Sequence, residues 1–232
     1  MIQSTQPDDF QLVLAPCAER IGILEPVVAV ISGVADRPSA NTFLAAEIEH
    51  VASRLPDVIA TARSSIESKG FKKLFERLGY PDQQGAFERL AASFSRVGFK
   101  QINAVVDAGN LASLVTGSPI GCHDLHSLGG SLTIRRAVEG DRIVPLFQSK
   151  SRPIPAGDLV YESRQGITCW MGKRDLDSDA HAITPQTNTI AVMAIGNEDA
   201  GHAFNAHVCD TLFKFIQLAF ADARMQKYSV GR

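Results

Sequence analysis

Residues 103–130, NAVVDAGNLASLVTGSPIGCHDLHSLGG, gather polar side chains and glycines more densely than the rest of the chain, and chemistry is expected there. Asp107 and Asn110 are three positions apart. On a helix they share a face and could hold one amine or hydroxyl between them, the carboxylate accepting and the amide both donating and accepting. Asp and Asn also cap helix starts, which is the structural alternative for the pair. Gly121 is followed by Cys122, His123 and Asp124, with Gly129 and Gly130 just beyond. Such a loop lets backbone approach a ligand and turn N–H groups toward developing negative charge, as an ester carbonyl would require. A turn between a helix and a strand would use the same glycines.

Other site types fit less well. The serine-hydrolase pattern G-x-S-x-G is absent, and Ser131 after Gly129-Gly130 does not supply its spacing. A Cys122 thiol would need a base within reach, yet its neighbour His123 points elsewhere if the segment is extended. Cys122, His123, Asp124 and His126 carry metal-ligating atoms, but no H-E-x-x-H occurs, and His202 and His207 are five apart. No metal or other cofactor is expected. His50 and His181 stand alone in sequence and read as surface or hydrogen-bonded structural residues. Between positions 135 and 174 there are eight basic residues and four acidic ones. Beside Tyr161 and Trp170, this local surplus could neutralise phosphates while a ring stacks a base. A solvated strand face would carry the same charges.

The elements that must position these residues follow from periodicity. Residues 11–15 and 27–31 read as strands. After Arg37-Pro38-Ser39, the residues Leu44, Ile48, Val51 and Leu55 recur at helical spacing. Pro56 then opens a helix carrying Ile59, Ala62 and Ile66, with Gly70 as its stop. Phe71, Leu74, Phe75 and Leu78 predict a short helix ending at Gly79, and Phe87, Leu90, Ala91 and Phe94 another ending near Gly98. From Ile102 onward, short apolar segments between glycines and prolines predict strands at 132–136, 158–161, 167–171 and 189–195. Phe204, Val208, Leu212, Phe215, Ile216 and Ala219 form one stripe of a long closing helix, with Asp199 as its N-cap.

A chain of 232 residues, 45% apolar and 21% charged, can bury a core and is not disordered, collagen-like or coiled-coil in composition. The expectation is one α+β domain over residues 1–232, helical in its N-terminal third and strand-rich in the middle. A formal charge of −2 exerts no long-range pull on polyanions or anionic lipid, so any nucleic-acid contact must be local. Four scattered cysteines without a C-x-x-C pair indicate a reducing compartment rather than a disulfide scaffold. With no leader-like or membrane-length apolar run, the chain reads as soluble and cytoplasmic, without a membrane partner.

One ordered series of residues carries a resemblance. It runs through Ile102-Asn103, Val106-Asp107-x-x-Asn110 with Ser113-Leu114, Pro119-x-Gly121-x-x-Asp124, Gly130-x-Leu132-x-Ile134-Arg135-x-Ala137, Gly140-Asp141, Pro155-x-Gly157-Asp158-x-Val160-Tyr161, and Trp170 to Asp175. Residues 98–187 thereby resemble the B3/B4 domain, the editing module in the beta subunit of bacterial phenylalanyl-tRNA synthetases, which also occurs in free-standing proteins. The resemblance implies a mixed α/β sandwich that hydrolyses the ester joining a wrongly attached amino acid to tRNA. Its partner would be mischarged aminoacyl-tRNA. No ATP-binding or amino-acid-activating segment is visible, and 232 residues leave no room for one, so a free-standing editor acting in trans is expected. Similar free-standing proteins include deacylases that clear canavanine from arginine tRNA, the subgroup expected here. The synthetase module instead removes tyrosine from phenylalanine tRNA.

The synthetase domain often has a histidine where this chain has Gly121, and His123, two residues later, cannot simply inherit its role, so the amino-acid pocket must differ. The resemblance places the cleft between the 107–124 and 170–175 segments. Asn110 and glycine-rich backbone would orient the ester and its oxyanion, while Asp124 or His123 would position water or move a proton. Asp107, Gly121, Gly130, Glu162, Trp170 and Asp175 are expected around the substrate. A guanidino-type cation would find carboxylates in Asp107, Asp124, Glu162 and Asp175. Arg135, Arg136, Lys173 and Arg174 are expected to meet tRNA. The alternative functions are a tRNA-binding module without hydrolysis and a metal-dependent small-molecule hydrolase using residues 122–126.

Overall fold

The structure, a computed structural model, describes residues 10–35 and 40–230; the Arg37-Pro38-Ser39 segment expected ahead of the helices lies outside them. The chain opens with β1 (Gln11–Leu14), α1 (Pro16–Glu19) and β2 (Val27–Ser32), then a 3-10 turn at Ala40–Leu44. Five helices follow: α2 (Ala45–Ser53), α3 (Leu55–Ser64), α4 (Ile66–Arg77), α5 (Ala86–Val97) and α6 (Ala104–Thr116). Next come β3 (Gly121–Asp124), α7 (Leu125–Leu128), β4 (Ser131–Arg136), β5 (Arg142–Ile143), β6 (Arg152–Pro153), β7 (Leu159–Ser163), β8 (Gly166–Met171), β9 (Asp175–Asp177) and β10 (Thr189–Ala194). The long helix α8 (His202–Ala219) and β11 (Arg224–Ser229) complete this mixed α+β fold.

Period-two alternation sorts the strands into layers. A four-stranded antiparallel sheet has the order β11-β2-β10-β3. Its Val27, Ala29, Ile31, Ile190, Val192 and Ala194 pack with Leu111, Val208 and Leu212 of α6 and α8. The intervening Val28, Val30, Ala191 and Met193 face the other way, onto Leu132, Ile134, Leu159, Tyr161, Cys169 and Met171. Those residues form the inner face of a five-stranded sheet, order β1-β4-β7-β8-β9, in which only β1 and β4 run parallel. Its outer face carries Val160, Ile167 and Trp170 against Ile143 and Ile154 from the β5–β6 ribbon. Edge strands β3 and β9 belong to the two facing sheets, and the candidate site lies where they approach.

Several expected boundaries moved for identifiable reasons. Gly70 does not stop a helix: Ser65 Oγ accepts from Ser68 N (3.0 Å) to start α4, which continues through Gly70, where a glycine is needed because a Cβ would overlap the Asn197 amide. Helix α8 begins after Gly201 rather than at Asp199. Asn197 and Ala200 close a tight turn (Ala200 N to Asn197 O, 3.0 Å), and Lys73 Nζ holds Asp199 at 2.7 Å. Residues 121–124 form β3 instead of a loop, through backbone pairing with β10. Strand β11 was not expected, because its exposed Arg224, Gln226 and Lys227 mask an edge strand bonded to β2. No described helix is long and apolar enough to cross a membrane.

Candidate active site

Two side chains fix the start of α6. Asn103 Oδ1 accepts from Val106 N (2.9 Å), and Asp107 Oδ1 accepts from Ile102 N (2.8 Å). Asp107 is wholly buried, and its Oδ2 has no partner among the described residues. Burial pushes this carboxyl up to about 6, against the opposing bond from Ile102. Asp107 therefore braces the helix from inside. Asn110, nearly one turn later, instead lines a cleft of 220 Å³.

Strand β3 supplies the facing wall. Its pairing sets Gly121 and His123 opposite Met193 and Ala191, on the side that meets the five-stranded sheet. Cys122 turns the other way, toward α6, where a Cβ at Gly109 would lie 3.2 Å from its Sγ. Burial pushes the Cys122 thiol up to about 12, which disfavours the thiolate. His123 is 1% exposed. Burial pushes its imidazole down to about 4, against a hydrogen bond to the backbone of His181, so the ring is neutral near pH 7. Its Nε2 is buried without a hydrogen-bond partner among the described residues, 3.8 Å from Asp177 Oδ1. A Cβ on Gly121 would sit 3.1 Å from that nitrogen; the absent side chain at 121 leaves the space beside it open.

The end of β9 and the segment after it close the cleft with Asp177, Ser178 and His181. His181 Nδ1 lies 2.9 Å from Ser127 Oγ, whose hydroxyl donates to the Asp124 carbonyl at 2.8 Å. Nδ1 is thus assigned as the donor and Nε2 as the ring's acceptor. Burial, reinforced by His123, pushes His181 down to about 4. The two imidazoles stand nearly perpendicular, with centroids 6.5 Å apart.

Asp175 and Asp177, two apart on β9, both border a smaller cavity of 50 Å³ with Gly121, Tyr161, Cys169 and Met193. This cavity adjoins the cleft, since Ile120 and Asp177 line both. Burial raises both carboxyls, Asp177 to about 6. Arg89 pairs with Asp175 at 3.0 Å, while Asp177 takes a hydrogen bond from Cys169 and pairs with no Lys or Arg among the described residues. One carboxylate is neutralised by a cation and its neighbour is not.

The remaining sequence candidates are distributed elsewhere. Asp124 caps α7, Oδ1 accepting from His126 N (2.8 Å), while its Oδ2 accepts from Thr187 Oγ1 (2.7 Å). Both oxygens are occupied, and Asp124 is not among the cleft residues. Gly130 forms the turn into β4 with φ +80°, its carbonyl accepting from Gln11 N (3.0 Å). Strand parity puts Trp170 on the outer face of its sheet, buried, with Nε1 donating to Asp158 Oδ2 at 2.7 Å. Glu162, paired across from Thr133, is gripped by Arg135 (2.7 and 2.9 Å). Arg135 also holds Asp141 (2.7 and 3.1 Å), and these carboxylates raise its already high pKa further. It is a structural cross-link with no donor pair left for a phosphate. Arg136 is half-buried, its Nε without a partner among the described residues. Lys173 and Arg174 are exposed in the β8–β9 turn.

The structure therefore brings together Asn110, Gly121, His123 and Asp175, and leaves Asp107, Asp124, Gly130, Glu162 and Trp170 in structural roles outside the cleft. Asp177 and His181 enter the site although sequence reasoning passed over the first and read the second as structural. Spacing could not find them, because only the approach of β9 to β3 joins them to His123. Among the described residues no three His, Cys, Asp or Glu side chains gather as metal ligands.

A sequence profile described as the B3/4 domain matches residues 79–203. The chain belongs to the B3/4 domain family. The matched segment of this B3/4 chain contains every cleft residue discussed above. Similar proteins include the phenylalanine–tRNA ligase beta subunit of Cutibacterium acnes, 28% identical over 113 residues, which are 49% of this chain and 13% of that protein. The same subunit of Neisseria meningitidis serogroup B is 33% identical over 99 residues, 43% of this chain and 12% of the relative. The chain thus spans a small part of the length of these relatives. An N-terminal fragment of the phenylalanyl-tRNA synthetase beta subunit from Pyrococcus horikoshii shares the fold, with TM-score 0.52 over 96% of this chain and 54% of that one at 8% identity.

Proposed function

We propose that this chain is an aminoacyl-tRNA deacylase, a free-standing cytoplasmic editor that hydrolyses the ester of a mischarged amino acid. The observation that carries the reading is His123 Nε2, a buried nitrogen of a neutral ring, without a partner among the described residues, in a cleft it shares with the Asn110 amide. With the other ring nitrogen bonded to the His181 backbone, Nε2 is assigned as the acceptor. Kinship with the synthetase beta subunits supplies tRNA as the substrate class.

Water is the nucleophile in this mechanism. Nε2 of His123 takes a proton from water as the oxygen adds to the ester carbonyl, and the Asn110 amide donates to the carbonyl oxygen as it turns negative. Collapse of the tetrahedral intermediate breaks the bond to the ribose oxygen, which takes the proton back from Nε2. The transient imidazolium is steadied by Asp177, 3.8 Å away. A base held near 4 is weak, and an aminoacyl ester is labile, so alignment of water and ester supplies most of the acceleration. The small cavity beside Gly121 receives the amino-acid side chain. Asp177, without a cationic partner, favours a guanidino-type group there, and canavanine on arginine tRNA is the substrate we expect first.

The test is ester release from tRNAs carrying labelled canavanine, arginine or tyrosine. Canavanine should be freed well above its spontaneous rate, and tyrosine, which offers Asp177 no cation, much more slowly. No release from any of them overturns the proposal, and tRNA binding without turnover would make the chain a binding module. Turnover abolished by chelation would replace the His123 mechanism with a metal-dependent one.

A further inference from the structure

The β5–β6 hairpin carries residues that neither the fold nor the proposed hydrolysis uses. Phe147, in its loop, is 81% exposed, more than any other large apolar side chain among the described residues. Its φ is +61°, and only Glu25 shares a positive φ among the described non-glycine residues. A bulky side chain rarely adopts this left-handed backbone, and Gly or Asn would make the same turn with less strain. Core packing does not explain the ring, since it is mostly in water.

The loop is nevertheless fixed in place. Phe147 N donates to Asp179 Oδ1 (2.9 Å), Leu146 N to the Asp177 carbonyl (2.9 Å), and Asp179 N to the Val144 carbonyl (3.0 Å). These bonds lace the loop to the segment that carries Asp177 and His181. Phe147 also lines the cleft that contains Asn110 and His123. Around it, Arg142, Lys150 and Arg152 are exposed, and positions 142–157 contain no acidic residue. Arg142 bonds to Ser151 (2.9 Å) and Arg152 to Gln148 (2.8 Å), and neither guanidinium pairs with a carboxylate among the described residues.

An exposed ring among unneutralised cations, fixed at the mouth of a cleft, matches what a single-stranded nucleic-acid end requires: a flat apolar face for a base and positive charge for its phosphates. We propose that this hairpin binds the 3′ end of the tRNA, Phe147 stacking on the terminal base while Arg142, Lys150 and Arg152 meet the adjoining phosphates. The assignment rests on the deacylase reading for the identity of the RNA, but not on hydrolysis itself. A membrane surface fits less well, because the ring lines the cleft that holds Asn110 and His123 and is followed in sequence by exposed Gln148, Ser149 and Lys150.

The experiment measures binding of uncharged tRNA, and of the same tRNA lacking its terminal adenosine, to the full chain by fluorescence anisotropy. Phe147→Ala should weaken binding of intact tRNA by about tenfold, and Phe147→Trp should recover it. Removing the terminal adenosine should weaken wild type but leave Phe147→Ala unchanged. The triple variant Arg142→Gln, Lys150→Gln, Arg152→Gln should flatten the salt dependence of binding, by about 0.7 in log–log slope per lost phosphate contact. Thermal melts establish that each variant is folded. Equal affinity of wild type and Phe147→Ala for intact tRNA overturns the hairpin assignment even if the esters are hydrolysed. Hairpin-dependent binding to phosphatidylserine vesicles, with none to tRNA, overturns it in favour of a membrane. Adenosine-dependent binding through Phe147 sustains it even if every ester survives, in which case only the hydrolytic proposal falls.

Discussion

A single methyl group at Gly121 separates the chemistry of His123 from its contribution to folding. In Gly121→Ala the new Cβ would stand 3.1 Å from His123 Nε2 and 3.0 Å from Met193 Cε. Comfortable carbon contacts begin near about 3.5 Å, so one partner on each side must yield by roughly 0.4 Å. The Met193 methyl is the end of a flexible chain and can move. His123 is buried and tied to the backbone of His181, so the methyl either displaces the ring or occupies the place of a water at Nε2. A misplacement of about 1 Å costs about 100-fold in rate, so roughly 0.4 Å corresponds to several-fold, and loss of the water site brings the expected drop to about tenfold or more. Stability should fall by no more than about 2 kcal/mol. Gly121 is not in a left-handed conformation, so Ala gains about 0.4–1 kcal/mol from a less flexible unfolded chain, offsetting part of an overpacking cost of about 1–3 kcal/mol. Single-turnover deacylation of canavanyl-tRNA, read beside urea unfolding, measures both. An undiminished rate in a normally folded variant would mean that Nε2 takes no part.

Three further outcomes are expected. Asp177, raised to about 6, must be ionised to hold a cationic side chain. Turnover of canavanyl-tRNA should therefore fall as pH drops through about 6, and Asp177→Asn should lower kcat/KM and remove that limb; a persistent limb would assign it elsewhere. Asp107, also raised to about 6, keeps its proton in the folded state over a range where the unfolded chain has lost it. Wild type thus loses stability as pH rises from about 4 to 6, and Asp107→Asn should gain on it across that window in urea titrations, whereas parallel curves would contradict the assignment. Trp170→Phe removes one of the donors to buried Asp158, which keeps the bond from Lys173 N, and should cost about 1 kcal/mol in stability, with deacylation by the folded fraction unchanged; a large loss of kcat would place Trp170 in the site after all.

How much of this was legible beforehand depends on the range over which each signal acts. Strands β2, β4, β8 and β10 announced themselves through β-branched runs, and α5 and α8 through apolar stripes, because burial of one face is written locally at the period of the element. Gly70 and Asp199 misled for the opposite reason. One glycine makes room for Asn197 from another part of the chain, and the carboxylate answers Lys73 rather than a helix end. Strand β11 was missed because an edge strand held by backbone bonds needs no apolar alternation.

The amino-acid sequence alone determined the family resemblance and the layered α+β class, and it named Asn110, Gly121, His123 and Asp175, which line two adjoining cavities. Only the tertiary structure decided which polar residues are free to act. Asp107, Asp124, Glu162 and Trp170 had suitable types and spacing, yet helix capping, pairing with Arg135 and strand parity commit them to the scaffold. Asp177 and His181 carried no local signal and join the site because two edge strands meet there. Availability depends on whether a group faces the cleft and on whether its hydrogen bonds are already taken, and Thr187 on Asp124, Arg135 on Glu162 and Asp158 on Trp170 are partners that adjoin only after the chain has packed.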